Sequence, residues 1–163
     1  MANYAFIDGT NLHLSTENLG WSFDWRLFRE YLAKKHRVTK AYYFVGYSQH
    51  QIALYDNLNT YGYELIHRTL LIRPDGDIKG DCDTELVLHT MIQWYNYGKA
   101  VIVTGDGDMA CLVRHLDDTN KFKLVIACKP DSCSKLIRQA SNSNIMYVDY
   151  YRHMFEKKKR EQK

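Results

Sequence analysis

The stretch Ala100-Val101-Ile102-Val103 is wholly apolar, with no alternation between apolar and polar positions. A strand with water on one face shows that alternation, whereas an unbroken run signals a strand buried on both faces. Both faces of its sheet must then be covered, and the rest of the chain supplies the cover. Tyr4-Ala5-Phe6-Ile7 is a second apolar run, closed by Asp8-Gly9. Val38 to Tyr47, Tyr63 to Ile72, Phe122 to Ala127 and Ile145 to Val148 are predicted as further strands, the second of them halted by Pro74-Asp75-Gly76. Helical spacing follows Asp24, with Leu27, Phe28, Tyr31 and Leu32 on one face. It recurs over Gln49–Tyr61, Asp83–Tyr97, the segment from Asp108 through Leu116, and Ser132–Ala140, with Gly62 and Gly98 as stop signals. Strands alternating with helices of this length predict crossover connections and a largely parallel sheet, hence a three-layer α/β domain.

The chain of 163 residues fits one domain, and no repeat or internal linker divides it. The expected boundaries are a folded domain over residues 1–155 and a basic, flexible tail over 156–163. That tail (EKKKREQK) carries five basic and two acidic residues, which accounts for the whole net charge of +3. Global charge therefore gives no support for nucleic-acid binding; any basic surface has to be local. No apolar run reaches the ~20 residues of a membrane-spanning helix, and Met1-Ala2-Asn3-Tyr4 does not open like a secretory signal, so a cytoplasmic protein is expected. Cys82, Cys111, Cys128 and Cys133 form no C-x-x-C pair and no zinc-type spacing with histidine. They are expected to be reduced thiols, with Cys111 and Cys128 in apolar surroundings, and no structural zinc is expected.

In parallel α/β sheets, ligands bind beyond the carboxyl ends of the strands. Asp8 stands at the end of the first strand, and Asp106 and Asp108 just beyond Val103. If those strands are neighbours, their carboxylates converge, and the crossover helix brings Asp83 to the same edge. Such a cluster suits Mg²⁺ or Mn²⁺, hard cations that take oxygen ligands and activate water for attack on a phosphodiester. Gly9, Gly105 and Gly107 are expected to let the backbone turn sharply around the acids. Each residue also has a structural explanation: Asp108 as a helix N-cap, Asp106 and Asp8 as turn residues, Asp83 as an acid at a helix N-terminus. Asn11 and Thr104 are placed to orient a carboxylate, water or phosphate. Asp81 and Glu85 lie about 200° around a helix from Asp83 and are weaker candidates; Asp75 and Asp77 belong to the turn.

Three segments carry a resemblance: Phe6-Ile7-Asp8-Gly9-Thr10-Asn11-Leu12, Lys79-Gly80-Asp81-Cys82-Asp83, and Val103-Thr104-Gly105-Asp106-Gly107-Asp108-Met109. Together, and with a weaker match over Leu136–Val148, they resemble the NYN-domain, LabA-like branch of the PIN-like nucleases across roughly residues 3–150. The resemblance implies a mainly parallel PIN-like sheet of five to six strands, in an order resembling 3-2-1-4-5. It implies an acidic metal site of Asp8, Asp83, Asp106 and Asp108, and Mg²⁺- or Mn²⁺-dependent ribonuclease activity. Asn11 and Thr104 match the family's polar positions after the first strand and before the acid pair. Family members often carry an acid six residues beyond the position of Asp83; here it is His89, expected to pack inertly on its helix.

The leading functional expectation is a metal-dependent endoribonuclease, with RNA as partner and Lys79 as a phosphate contact. Trp21, Phe23 and Trp25, and Trp94, Tyr95 and Tyr97, are the dense aromatic groups, available to stack on bases but more often explained by core packing. The alternative is a scaffold or RNA-binding module that keeps the fold with little turnover. A topoisomerase-primase-like phosphate enzyme would place a glutamate where Asp8 stands. A homodimer is compatible with the family resemblance and is not forced by any residue.

Overall fold

The computed structural model describes residues 1–68, 71–72, 78–79 and 82–158, with the backbone alone at 71, 72, 78 and 79. Its centre is a six-stranded sheet in which every neighbouring pair runs parallel. The strands are β1 (Asn3–Asp8), β2 (Val38–Gly46), β3 (Glu64–Arg68), β6 (Ala100–Val103), β7 (Phe122–Ala127) and β8 (Ile145–Tyr147). Their spatial order is β3-β2-β1-β6-β7-β8, so the sheet strands numbered among themselves read 3-2-1-4-5-6. A separate antiparallel pair joins β4 (Leu71–Ile72) to β5 (Ile78–Lys79). The strand expected over Tyr63–Ile72 is thus split in two. Its expected Pro74-Asp75-Gly76 stop, together with Asp75, Asp77, Asp81 and residues 159–163, lies outside the described residues.

Strand alternation divides the interior into two cores. Ala5, Ile7, Tyr43 and Val45 face α1 (Gly9–Glu17), α2 (Trp25–His36), α3 (Ile52–Thr60) and α7 (Arg152–Phe155). Phe6, Phe44, Ile102 and Val125 face α4 (Asp83–Ile92), α5 (Ala110–Asp118) and α6 (Lys135–Ala140). All four residues of β6 are buried, as a strand covered on both faces requires. Asp24 caps α2 by accepting the Leu27 N–H at 3.0 Å, and Gly62, with φ +86°, supplies the left-handed residue just past α3. Beyond α7, Glu156 bridges to Phe23 and Lys157 donates to the Ser22 carbonyl at 2.8 Å, so the chain stays attached to the domain as far as Lys157.

Two expectations about helices need correction. α4 ends at Ile92, not at Tyr97. The Trp94 and Tyr97 carbonyls accept from Lys121 Nζ at 2.8 and 2.7 Å, and the buried Tyr97 hydroxyl donates to the Thr90 carbonyl. Tertiary partners thus satisfy the backbone that further helix would have paired. In turn, α1 fills a segment with no predicted element. Its buried positions are only Gly9, Leu12 and Thr16, too little apolar material for a helical period to register.

The cysteines also part company with expectation. None of the four is in a disulfide, but Cys111 is exposed, because α5 turns Ala110, Leu112, Val113 and Leu116 inward and leaves Cys111 outside. Cys82, Cys128 and Cys133 are buried, and burial pushes the Cys128 thiol up to about 12. Only the thiolate reacts. Native-state alkylation at neutral pH is therefore expected to modify Cys111 first and to spare Cys128 until unfolding, as read by peptide mass spectrometry. Equal labelling of the two would contradict this placement.

Candidate metal centre

The β1–β6 pairing aligns Ile7 with Val103, so Asp8 and Thr104 leave the carboxyl edge side by side. Asp8 is only 7% exposed, and its carboxylate is held from two directions. One oxygen accepts the Asn11 N–H at 3.0 Å, which makes Asp8 the N-cap of α1. The other accepts from the Thr104 hydroxyl at 3.1 Å. That hydroxyl in turn accepts the Asp106 N–H at 3.1 Å. Thr104 is 1% exposed, so its work is to fix the two acidic positions relative to each other.

The loop after β6 is tied down on both sides. Asn11 Oδ1 accepts the Gly105 N–H at 2.9 Å, and the Gly105 carbonyl accepts the Ser134 N–H at 2.9 Å. Asp106 Oδ1 accepts the Asp108 N–H at 3.0 Å and caps the short 3₁₀ turn Gly107–Met109. Helix capping here thus falls to Asp106, not Asp108. Asp83 opens α4, whose first turn is anchored by buried Cys82 and Leu86 in the second core. A carboxylate at that position also suits the positive end of the helix dipole.

These elements bring one carboxylate oxygen each from Asp8, Asp83 and Asp106 within 4.8 Å of one another. Asp8 is buried and the other two are half-buried. Negative charges this close repel one another, and a cation among them offsets that repulsion. An all-oxygen, all-anionic donor set fits a hard divalent cation such as Mg²⁺ or Mn²⁺ and fits soft metals poorly. Among the described residues, Asp108 is not part of that group. It is exposed, and with Asn11, Asp106, Ser132, Ser134 and Leu136 it lines an open cavity of about 540 Å³ beside the carboxylates. Ser134, which caps α6 by accepting the Leu136 N–H at 3.2 Å, is a contributor that sequence reasoning passed over.

Other candidates are placed as follows. Glu85 faces Arg68 at 3.5 Å and is not in the carboxylate group. His89 packs on the Tyr42 and Phe44 rings, with centroids at 5.7 and 5.5 Å, the inert position expected for it. The backbone of Lys79 lies in β5, opposite Leu71. The glycines do not serve as sharp-turn residues: Gly9, Gly105 and Gly107 all lack positive φ. Close packing selects them instead, since a Cβ on Gly107 would lie 2.6 Å from Ser134 Oγ, and one on Gly105 would lie 3.1 Å from the Ser132 carbonyl.

Fold and site together define a class: a parallel α/β domain with carboxylates gathered at the carboxyl edge of its central strands, as in the PIN-like proteins. The NYN domain model matches residues 4–147, and the chain belongs to the NYN-domain family, a branch of the PIN-like nucleases. It is 25% identical over 156 residues to the low amplitude and bright protein LabA of Synechococcus elongatus, covering 88% of this chain and 81% of that one. A crystal structure of a Vibrio parahaemolyticus protein of unknown function superposes with a TM-score of 0.77 at 22% identity, covering 90% of this chain and 92% of the other. Among the described residues, no helix is long and apolar enough to cross a membrane.

Proposed function

We propose that this protein is a metal-dependent endoribonuclease that hydrolyses RNA phosphodiester bonds at the Asp8, Asp83 and Asp106 cluster. The observation that carries this reading is the approach of those three carboxylates to within 4.8 Å, on a scaffold whose hydrogen bonds fix two of them. A site built on strand ends and locked by its neighbours is preorganised, so little reorganisation is needed when charge develops at phosphorus. When bound, Mg²⁺ or Mn²⁺ supplies activation of the attacking water and neutralisation of phosphate charge.

The protein's own residues divide the remaining work. Asp8, Asp83 and Asp106 hold the cation. Thr104 and Asn11 keep Asp8 and the 105–106 backbone in register. Asp108, on the cavity side, is assigned to the metal's outer surroundings, where a carboxylate orients water. Lys79 is assigned to the phosphate backbone.

The test is incubation of single-stranded and structured RNA with Mn²⁺, Mg²⁺ or chelator, for the wild type and Asp106→Asn. Cleavage is expected only with metal and only in the wild type. Equal cleavage by wild type and variant, or cleavage undiminished by chelator, would rule the proposal out. RNA binding that is indifferent to metal, with no product, would point instead to the scaffold alternative.

A further inference from the structure

The aromatic groups singled out in the sequence are mostly structural. Phe23, Trp25 and Tyr97 are buried, and Trp21 donates its indole N–H to Asp149. Of those groups Tyr95 is exposed, at 86%, and the other exposed tyrosines are Tyr47 at 44%, Tyr150 at 67% and Tyr151 at 39%. Tyr95 precedes β6 and so sits toward the opposite edge of the sheet from the carboxylates. Tyr150 and Tyr151 follow β8, three strands from β1. Tyr47 alone among these four follows β2, the strand beside β1.

We infer that Tyr47 and His67 form a stacking subsite for an unpaired nucleobase at the same carboxyl edge of the sheet as the carboxylate cluster; this rests on the reading of the protein as an RNA enzyme. Phe44 is the register partner of Asp8, and Tyr47 is three residues further on. One strand spacing and three residues of rise place its Cα ~11 Å from that of Asp8, a few nucleotides along a strand.

The two rings are held in place. Tyr47 packs against His67 edge-on at 5.6 Å between centroids, and His67 packs against Tyr55 at 5.0 Å. Tyr55 is a buried wall whose hydroxyl lies 3.2 Å from the Ser48 nitrogen, 3.1 Å from the Gly46 carbonyl and 3.0 Å from Gln51 Oε1. The Tyr47 N–H donates to the Arg68 carbonyl at 3.2 Å, which fixes the backbone that carries the ring. Arg68 sends its own side chain to the other face of the sheet, 3.5 Å from Glu85, two residues after Asp83. A cation therefore stands on the carboxylate side of the aromatic pair, where the phosphates of a stacked strand would run.

Stacking needs a free base face, and an RNA duplex offers none away from its ends. The subsite therefore selects single-stranded RNA. The ring is partly covered by His67 and Tyr55 at the rim of the domain, and its hydroxyl makes no hydrogen bond within the described residues, so Tyr47→Ala opens no core cavity and strands no polar group.

The experiment compares full-length wild type, Tyr47→Ala and Tyr47→Phe, with dye-labelled unstructured RNA and a blunt RNA duplex as probes. Anisotropy gives Kd, and Mn²⁺-dependent cleavage gives kcat and KM. Tyr47→Ala is expected to raise Kd and KM for single-stranded RNA by roughly 5- to 150-fold, the range for loss of one base stack. Its kcat, Mn²⁺ affinity, melting temperature and duplex binding stay at wild-type values, and Tyr47→Phe behaves as wild type. Wild-type Kd in Tyr47→Ala, or equal weakening for both RNAs, overturns the subsite. If Asp106→Asn still abolishes cleavage in that case, the nuclease reading stands without it. Absence of RNA binding and metal-dependent cleavage in the wild type overturns both.

Discussion

Asp8→Asn is expected to lower RNA cleavage by roughly 10³-fold or more while leaving the protein folded. Lewis-acid stabilisation by a bound cation is worth several kcal/mol, and each ~1.4 kcal/mol is a decade in rate. Asparagine ranks with aspartate as an N-cap, and its amide oxygen can still accept the Asn11 N–H, so α1 keeps its start. The Thr104 hydroxyl, which now donates to Asp8, can accept from the new amide instead. Removing one of three crowded negative charges also relieves repulsion in the metal-free protein. The variant is therefore expected to melt at or above the wild-type temperature without metal. Saturating Mn²⁺ should separate the two: at 100 times its Kd a ligand stabilises by ~2.7 kcal/mol, and the variant should gain only a fraction of that. A variant that cleaves at the wild-type rate, or an identical Mn²⁺ shift in both proteins, would remove Asp8 from the site.

The legible part of this site was the part set by strand ends. Apolar runs announce β1 and β6, and a run must stop where the chain leaves the core, so Asp8 and Asp106 fall at the edge for the same reason that Ile7 and Val103 are buried. Neighbouring placement of β1 and β6 is a property of the sheet order, which no local pattern encodes; the family resemblance supplied it. Asp83 was ambiguous because a first-turn acid is ordinary helix chemistry, and only the packing of α4 on β1 turns it toward Asp8. Asp108 illustrates the opposite failure. Its spacing suits a cap, yet the Asp106 side chain takes that role because the 3₁₀ turn starts one residue after it. The aromatic residues were indistinguishable by composition: Trp25 and Tyr47 differ only in whether the next layer covers them.

Gly9→Ala is expected to damage both stability and activity, through a clash that sits between the core and the metal site. Gly9 begins α1, where alanine would ordinarily be favoured by up to ~1 kcal/mol. Here a Cβ would lie 2.6 Å from the Phe44 carbonyl and collide with the Tyr43 ring. Neither neighbour can retreat cheaply. The Phe44 carbonyl belongs to the backbone of β2, between β1 and β3. Tyr43 is fully buried, donates its hydroxyl to the Gly9 carbonyl at 3.1 Å, and meets Trp25 and Tyr63 edge-on. Overpacking of this kind typically costs 1–3 kcal/mol, and more where backbone must move, so a net loss of about 2 kcal/mol is expected in urea unfolding. The start of α1 must shift, and Asp8 is covalently next to it, so the carboxylate moves off the Thr104 hydroxyl. A displacement near 1 Å is enough to cost about 100-fold in kcat. Gly20→Ala provides the contrast: its φ of +78° strains an alanine, but no atom lies within 4 Å of the added Cβ. It should lose about 1–2 kcal/mol of stability with kcat unchanged. If Gly9→Ala instead keeps full activity and the wild-type urea midpoint, the close approach of α1 to β2 does not position Asp8.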